Sequence, residues 1–212
     1  MTSEWLERWE KGHTGWHEAN GSAALRKFWP GQAGGSRVLV PLCGKSPDLV
    51  WLSQQGCDVT GVEISEIATR AFFDEADIRF EVSRAGGLRW FRSVEHSLTI
   101  VCGDYFSFTD EPFDALYDRA ALVALPPEKR TRYVMHTKKL LKSNAKQLLI
   151  TLEYDQKKVS GPPFSVLPDE VKKHWPELRR AGELSALKNM PPKYRDAGLS
   201  RFVEAVWVSE EA

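Results

Sequence analysis

Two short segments place an acidic side chain opposite a chain turn, an arrangement that suits a nucleotide sugar. The first, residues 37–46, reads RVLVPLCGKS and is an apolar strand that breaks at Pro41 and turns at Gly44. The second, residues 61–65, reads GVEIS, and its Glu63 lies nineteen positions after Gly44. In Rossmann-type sites an acid about 20 residues after the turn glycine accepts hydrogen bonds from ribose hydroxyls. The spacing therefore predicts a ribose-containing ligand at Glu63.

The turn narrows the choice of ligand. A dinucleotide site requires the GxGxxG pattern, because a pyrophosphate needs close backbone approach at several glycines. This turn has Gly44 alone, preceded by Leu42 and Cys43. S-adenosylmethionine carries no phosphate and tolerates side chains at such a turn. The pattern thus favours S-adenosylmethionine over NAD or FAD, and a βαβ unit that holds no ligand is the alternative.

Further polar residues follow two other predicted strands. Asp104 comes after the apolar run 98–102, and Asp118 and Arg119 follow the run 113–117. Strands that alternate with helices predict an α/β fold with a doubly wound, mostly parallel sheet and helices on both faces. In such folds the ligand crevice lies beyond the carboxyl ends of the strands, so four strand ends are expected to converge there.

Local patterns predict the elements themselves. Helices are expected at 3–11 with Ser3 as N-cap, around 25–29, from Pro47 with Ser46 as N-cap, from Glu66, at 127–141 and at 169–174. Strands are expected at 37–41, 59–62, 98–102, 113–117, 147–154 and 202–208, with shorter β-like runs between 80 and 102. We expect one domain over 1–212, with an N-terminal helical lid at 1–30 and a sheet core at 37–208.

Composition limits the possible partners. The chain has 212 residues, with 29 Lys and Arg against 29 Asp and Glu, so its formal net charge is zero. No sustained basic run supports nucleic-acid binding, and no apolar run approaches the length of a membrane span. Cys43, Cys57 and Cys102 lack metal-ligand spacing and are expected to be reduced, buried and inert. These features predict a cytoplasmic, monomeric protein with a small-molecule partner and no metal.

The N-terminal segment is rich in aromatic residues. Trp5 and Trp9 lie four positions apart on one helical face, and Trp16 and His17 follow. A sulfonium is a cation that π faces hold, so a lid bearing these tryptophans is one interpretation and core packing is the other. A lone histidine after a tryptophan is more often a packed residue than a base, which is how we interpret His17.

Taken together, these motifs resemble the thiopurine S-methyltransferases, a family of class I methyltransferases that use S-adenosylmethionine. The matching positions are Trp5, Trp9, Gly12, Thr14 and His17, then PLCGKS at 41–46, GVEIS at 61–65, DRAALVA at 118–124 and GPPF at 161–164. They extend over nearly the whole chain, and their combination is far more specific than any single motif.

The resemblance implies roles for individual residues. Trp5 and Trp9 would cover the methyl donor, and Leu42 and Gly44 would lie at its backbone. Glu63 would hold the ribose, and Asp104 or Tyr105 would border the adenine. Arg119 would lie beside both the methyl donor and the acceptor. Around the acceptor, the corresponding positions are Trp16, His17, Pro162 and Phe164, with Lys193 or Arg195 as a second cation. Alternatives stay open for Asp104, which could cap a turn, and for the GPPF segment, which could be a rigid turn.

The implied reaction is in-line methyl transfer from S-adenosylmethionine to a thiol of an aromatic or heterocyclic substrate, with S-adenosylhomocysteine as product. Arg119 would favour the thiolate but is too basic to accept its proton, which leaves water as the proton carrier. Arg119 could instead be an ordinary ion-pair residue with Asp118 or Asp114. Other acceptors in the same family likeness are selenide, tellurite-derived species, hydrogen sulfide and halide. A binding module without turnover and a nicotinamide oxidoreductase are the alternatives from other classes.

Overall fold

The computed structural model describes residues 2–14, 17–31, 34–185 and 190–209. The helices, in chain order, are α1 Thr2–Glu10, α2 Ala23–Phe28, α3 Asp48–Gln54, α4 Glu66–Glu75, α5 Ala121–Ala124, α6 Pro127–Lys139, α7 Pro168–His174 and α8 Pro192–Asp196. The strands are β1 Arg37–Pro41, β2 Asp58–Glu63, β3 Phe80–Ala85, β4 Leu88–Ser93, β5 Leu98–Cys102, β6 Phe113–Asp118, β7 Leu141–Glu153, β8 Leu178–Ser185 and β9 Val203–Ser209. A 3-10 turn lies at Tyr105–Ser107.

All nine of these strands form one sheet in the order β3-β4-β5-β2-β1-β6-β7-β9-β8. The central strands β5, β2, β1, β6 and β7 run parallel, whereas β3, β4, β8 and β9 pair antiparallel at the two edges. From β1 the chain passes to β2, then to the edge hairpin β3–β4 and back to β5, and it then crosses to the other side of β1 to build β6 and β7. The strand order therefore reverses between β1 and β6, where doubly wound folds bind their ligands.

The sheet is covered on both faces, as predicted. Val38 and Val40 of β1 belong to one hydrophobic cluster together with side chains of α3 and α4, while Leu39 between them belongs to a second cluster with α5, α6 and α7. Successive side chains of a strand point to opposite faces, so a parallel strand buried on both faces has an almost wholly apolar sequence. The apolar β1 run follows from that position.

Two predicted helix starts are wrong by about one residue. Helix α1 begins at Thr2, so Ser3 lies inside the helix and is not its N-cap. Pro47 occupies the N-cap position of α3 instead of its first turn, and the Ser46 hydroxyl accepts a hydrogen bond from the Asp48 N–H at 3.3 Å. At Ser65 the prediction is confirmed, because its hydroxyl accepts the Ala68 N–H and caps α4.

The second half of the chain differs more from the prediction. Helix α6 ends at Lys139, and Leu141 begins β7, because the Leu140 N–H bonds to the Thr137 carbonyl and closes the last turn there. Strand β7 therefore begins six residues before the predicted Gln147. Strand β8 and helices α5 and α8 were not predicted. The β8 sequence, LRRAGELS, is an edge strand with charged side chains that lacks a strong apolar pattern.

Candidate active site

The turn after β1 has an unusual backbone. Leu42 and Gly44 have φ angles of 49° and 56°, and both lie in the left-handed region. A leucine rarely adopts this conformation, and such strained residues cluster at ligand sites. The Cys43 N–H between them donates to the Val62 carbonyl at 3.1 Å, which fixes the turn against the end of β2.

Cys43, Cys57 and Cys102 are free thiols, and all three are buried.

Glu63, the last residue of β2, joins that turn to helix α4. One carboxylate oxygen accepts the Gly44 N–H at 2.9 Å, and the other accepts the Ser65 N–H at 2.8 Å. The side chain is buried, and burial raises the pKa of its carboxyl, while the backbone donors oppose that rise. A carboxylate offers about four acceptor positions, so acceptor capacity remains for the hydroxyl groups of a ribose.

A pocket opens beside Glu63 at the carboxyl ends of β1, β2 and β5. It is lined by Trp5, Leu42, Val62, Ile64, Gly103, Asp104, Tyr105, Phe106, Leu125 and Tyr133. Most of these side chains are apolar or aromatic, as a flat heterocyclic base requires. The donor predicted from the sequence therefore fits the chemistry of the residues present, which combine a buried carboxylate with an apolar and aromatic pocket.

Asp104 and Tyr105 each have a structural role besides lining the pocket. The Asp104 carboxylate accepts the Phe106 N–H at 3.1 Å and caps the 3-10 turn. The Tyr105 hydroxyl is 2.9 Å from the Thr137 hydroxyl, and burial raises the pKa of the phenol. For Asp104 the turn-cap alternative and the pocket position thus coexist.

Helix α1 contacts the β1 turn through its tryptophans. Trp9 is buried, and a Cβ atom added at Gly44 would lie 3.3 Å from the Trp9 ring. Trp5 lines the pocket and lies 5.2 Å from the Arg8 guanidinium, measured to the ring centroid. The lid interpretation and the core-packing interpretation of these tryptophans are therefore compatible. Trp9 packs on the turn, and this contact also places Trp5 of α1 at the pocket.

Arg119 follows β6 and is ion-paired, although not with the two aspartates that the sequence offered as alternative partners. Its guanidinium pairs with the Glu18 carboxylate and lies 3.6 Å from Oε1 of Glu204 on β9. Burial acts to lower the pKa of Arg119, but the surrounding negative charges, those of Glu18 and Glu204 foremost, hold it above its usual value. Arg119 is thus a cation at all ordinary pH values.

The two aspartates considered as partners of Arg119 bind elsewhere. Asp118 accepts the N–H groups of Ala121 and Leu122 at 3.1 and 3.2 Å and the Tyr133 hydroxyl at 2.7 Å. Burial raises the pKa of Asp118 to about 6. Asp114 accepts the backbone N–H of Arg37 at 2.9 Å at the opposite end of β6. The alternative in which Asp118 or Asp114 pairs with Arg119 is therefore excluded, because both carboxylates bind backbone and side-chain groups around β6.

Asp48 of α3 holds the chain segment that precedes α2. One Asp48 oxygen accepts the Ser22 N–H at 2.8 Å, and the other accepts the Tyr117 hydroxyl at 2.7 Å. At Gly21 the φ angle is 68°, and an added Cβ would lie 2.4 Å from the same carboxylate. Only glycine combines this backbone angle with this close approach. The anchor ties the N-terminal segment to α3 and β6.

His17 lies in that segment and is half-buried. Burial lowers the pKa of its imidazole, and the positive charges of Lys45 and Arg119 lower it further. His17 is therefore neutral at neutral pH. Trp16, predicted to contact the acceptor, lies outside the described residues.

The predicted acceptor wall at 161–164 follows β7 at the same end of the sheet. The Phe164 N–H donates to the Val123 carbonyl at 2.6 Å, which ties the loop to α5. Lys193 of α8 donates to the Pro162 carbonyl at 2.8 Å. Arg195 is exposed and donates to the Met190 carbonyl at 3.2 Å. Of the two cations left open by the sequence, Lys193 is the one that contacts this loop.

Three charged residues near the site were not identified from the sequence, namely Glu18, Arg130 and Glu204. Arg130 is fully buried, and it donates to the Leu125 carbonyl at 2.9 Å and to Glu170 at 2.6 Å. Its guanidinium lies 5.9 Å from the Phe164 ring centroid. Helical spacing from Tyr133 and Val134 could have placed position 130 on the buried face of α6. The ion pairs of Glu18 and Glu204 depend on the fold and have no local sequence pattern.

The fold matches solved methyltransferases. A methyltransferase from Anabaena variabilis described as SAM-dependent has a TM-score of 0.66 at 14% identity, covering 99% of this chain and 95% of that one. A Burkholderia thailandensis 1,6-didemethyltoxoflavin-N1-methyltransferase with bound S-adenosylhomocysteine has a TM-score of 0.64 at 16% identity, covering 99% and 87%. The topology, with an acid ending the second strand of the crevice, defines the class I S-adenosylmethionine-dependent methyltransferase fold.

Sequence comparison then gives the family. The family model described as thiopurine S-methyltransferase matches residues 1–212. A thiopurine S-methyltransferase of Azotobacter vinelandii is 47% identical over 212 residues, covering 96% of this chain and 95% of the relative, and one of Pseudomonas syringae pv. tomato is 41% identical over 213 residues, covering 96% and 95%. The chain belongs to the thiopurine S-methyltransferase family. It is an S-methyltransferase whose donor is S-adenosylmethionine, as the sequence predicted.

Among the described residues, no helix has the length and apolar character needed to cross a membrane.

Proposed function

We propose that this enzyme methylates the thiol of small aromatic or heterocyclic acceptors, thiopurines among them, in the crevice between Arg119 and the 161–164 loop. The observation that carries the proposal is the position of Arg119. This cation follows β6, the strand beside β1 at the reversal of the sheet, and Glu63 ends β2 on the other side of β1. The curated relatives at 41% and 47% identity are named thiopurine S-methyltransferases, which supports the same acceptor class.

On this proposal the donor lies along the ends of β1, β2 and β5. Glu63 accepts hydrogen bonds from the ribose hydroxyls. Leu42 and Gly44 lie at the backbone of the methyl donor, and Asp104 and Tyr105 border its adenine. Trp5 and Trp9 of α1 cover the donor from above and form the lid. Indole faces attract a cation within about 6 Å of the ring centroid, which suits the positive sulfonium.

The acceptor lies on the opposite side of Arg119, against Pro162 and Phe164. His17 and Trp16 are assigned to this side as well. The contact between Lys193 and the Pro162 carbonyl favours Lys193 over Arg195 as the second cation. Arg130 acts as a positioning residue, because its buried guanidinium donates to the Ser165 carbonyl at 3.3 Å and so fixes the loop that carries Phe164.

The chemistry requires little more than orientation and charge. When bound, S-adenosylmethionine supplies an electrophilic methyl group on a positively charged sulfur. Arg119 stabilises the thiolate form of the acceptor by direct charge interaction, and water takes the proton because the guanidinium is already fully protonated. The tryptophans of α1 and the 161–164 loop exclude bulk water, which strengthens the interaction between Arg119 and the thiolate. Alignment of the two reacting atoms by rigid walls can supply much of the rate.

An acceptor panel tests the proposal. The purified enzyme is incubated with S-adenosylmethionine and, separately, with 6-mercaptopurine, thiophenol, sodium sulfide, selenide, tellurite or iodide. We expect S-methyl products of the two ring thiols, formed in a one-to-one ratio with S-adenosylhomocysteine. Donor binding without turnover of any acceptor would overturn the proposal in favour of a binding module, and turnover of the inorganic anions alone would overturn the assigned acceptor class.

A further inference from the structure

The N-terminal segment carries a carboxylate to the acceptor side of the site. Glu18 pairs with Arg119 across 101 positions of sequence. Four residues later, the Ser22 N–H is held by Asp48 at 2.8 Å. This second contact limits how far the segment can move, so the Glu18 carboxylate is kept close to Arg119.

The negative charges around Arg119 outnumber its single positive charge. Glu18 and Glu204 both contact the same terminal guanidinium nitrogen, and Asp48 lies near enough to raise the pKa of Glu18. The other ionisable neighbour in this segment is His17, whose pKa is lowered by burial and by the charges of Lys45 and Arg119, against an opposing effect of Glu75. The Arg119 side chain is only 18% exposed, so water screens these charges poorly.

We propose that Glu18 sets the charge selectivity for the acceptor by holding a carboxylate against Arg119, so that ring thiols bearing an additional carboxylate are rejected. The proposal rests on the proposed function, since it concerns the acceptor bound beside Arg119. Arg119 stays protonated, because the nearby carboxylates hold its pKa above the usual value, and on the proposed function its guanidinium contacts the thiolate directly. A second negative charge on the ring would either face Glu18 and Glu204 at short range or have to displace Glu18 from its ion pair.

The size of the effect follows from the position of the charge. Two like charges about 6 Å apart interact strongly in a partly buried site but weakly in water. Glu18 itself is 46% exposed, which reduces the effect of its charge. We therefore expect removal of the Glu18 charge to raise the relative use of a carboxylated acceptor by about fivefold to tenfold.

The test compares thiophenol with 3-mercaptobenzoate, which differs by one ring carboxylate. For wild type, Glu18→Gln, Glu18→Asp and Glu10→Gln, kcat/KM for each thiol is measured at saturating S-adenosylmethionine. Glu18→Gln removes the charge but retains a hydrogen-bonding oxygen, whereas Glu18→Asp retains the charge on a shorter side chain. Glu10→Gln is the matched control, because Glu10 is an exposed glutamate of α1. Thermal unfolding verifies that each variant is folded.

We expect wild type, Glu18→Asp and Glu10→Gln to prefer thiophenol over 3-mercaptobenzoate. In Glu18→Gln, the ratio of kcat/KM for thiophenol to that for 3-mercaptobenzoate should fall about fivefold or more. An unchanged ratio in Glu18→Gln would overturn the inference while leaving the proposed function intact, provided that wild type methylates thiophenol. An equal change in Glu18→Asp or in Glu10→Gln would also overturn it, because side-chain shape or a remote charge would then explain the ratio. If wild type methylates neither thiol, both the proposed function and the inference are overturned.

Discussion

Glu63 is both a structural residue and the proposed ribose acceptor. Its two oxygens hold the N–H groups of Gly44 and Ser65, so the same carboxylate that would bind the donor also shapes the turn beneath it. The position of this acid was predictable, because its offset from the turn glycine is short and local. The pairing of Glu18 with Arg119 was not predictable, because the two residues are 101 positions apart and no local pattern links them.

Substitution of Glu63 should affect donor affinity and stability together. Glu63→Ala should weaken S-adenosylhomocysteine binding by roughly 1 to 3 kcal/mol and also destabilise the fold, because two backbone donors lose their acceptor. Glu63→Gln should lose similar affinity but less stability, since it keeps one acceptor oxygen. Calorimetric titration and chemical denaturation measure the two quantities, with the exposed Glu81→Gln on β3 as control. Donor affinity unchanged in both variants would remove Glu63 from the site.

Arg119 should control the ionisation of the acceptor. Its positive charge lowers the thiol pKa, so Arg119→Met should move the acidic limb of the rate profile for a weakly acidic thiol to higher pH, by about 1 pH unit. Arg119→Lys keeps the charge and should move the limb less. The profile of kcat/KM for the acceptor is recorded at saturating donor.

An acceptor that is ionised throughout the measured pH range serves as the control for Arg119, because its profile should show little displacement. If wild type and both variants share one limb and differ only in donor affinity, Arg119 is a donor-binding residue and does not activate the acceptor.

At the scale of elements, the central strands were easier to predict than the edge. Strands β1 and β5 have the predicted bounds, 37–41 and 98–102, because buried parallel strands are continuous apolar runs bounded by turns. Strand β8 contains Arg179, Arg180 and Glu183, and its pairing with β9 comes from the sheet and not from its own pattern. Leu141 likewise belongs to β7 because it pairs with Phe113 of β6, a contact that its own sequence pattern does not indicate.

Deletion of residues 1–17 should reduce activity more than stability. The deletion removes Trp5 and Trp9 from the pocket and the β1 turn, but it leaves Ser22 bound to Asp48. We expect turnover to be lost and the donor Kd to rise about tenfold or more, with Tm lowered by only a few degrees. A deletion of residues 1–3, which keeps both tryptophans, is the control. Proportionate loss of Tm and activity would instead make α1 a core element.

At the scale of the whole molecule, the buried Asp118 should make stability depend on pH. Burial raises its pKa in the folded state from 3.8 to about 6, so the folded protein binds a proton more tightly than the unfolded chain. The stabilising contribution is complete below the unfolded pKa and is lost as pH rises through about 6. Relative to Asp118→Asn, wild type should lose about 2 kcal/mol of unfolding free energy between pH 4 and pH 7.

Chemical denaturation of wild type and Asp118→Asn at several pH values measures this difference. The asparagine oxygen can still accept the N–H groups of Ala121 and Leu122, so the variant is a suitable reference. A difference in unfolding free energy that stays constant from pH 4 to pH 7 would show that Asp118 does not take up a proton in the folded protein.

The central claim is that the carboxyl ends of β1, β2 and β5 form the donor site. A crystal structure of the protein with S-adenosylhomocysteine tests it most directly. We predict both ribose hydroxyls within about 2.6 to 3.2 Å of the Glu63 carboxylate, the base in the pocket beside Leu42 and Tyr105, and the donor sulfur facing Arg119. A nucleoside bound elsewhere, or ribose hydroxyls that do not contact Glu63, would contradict the account.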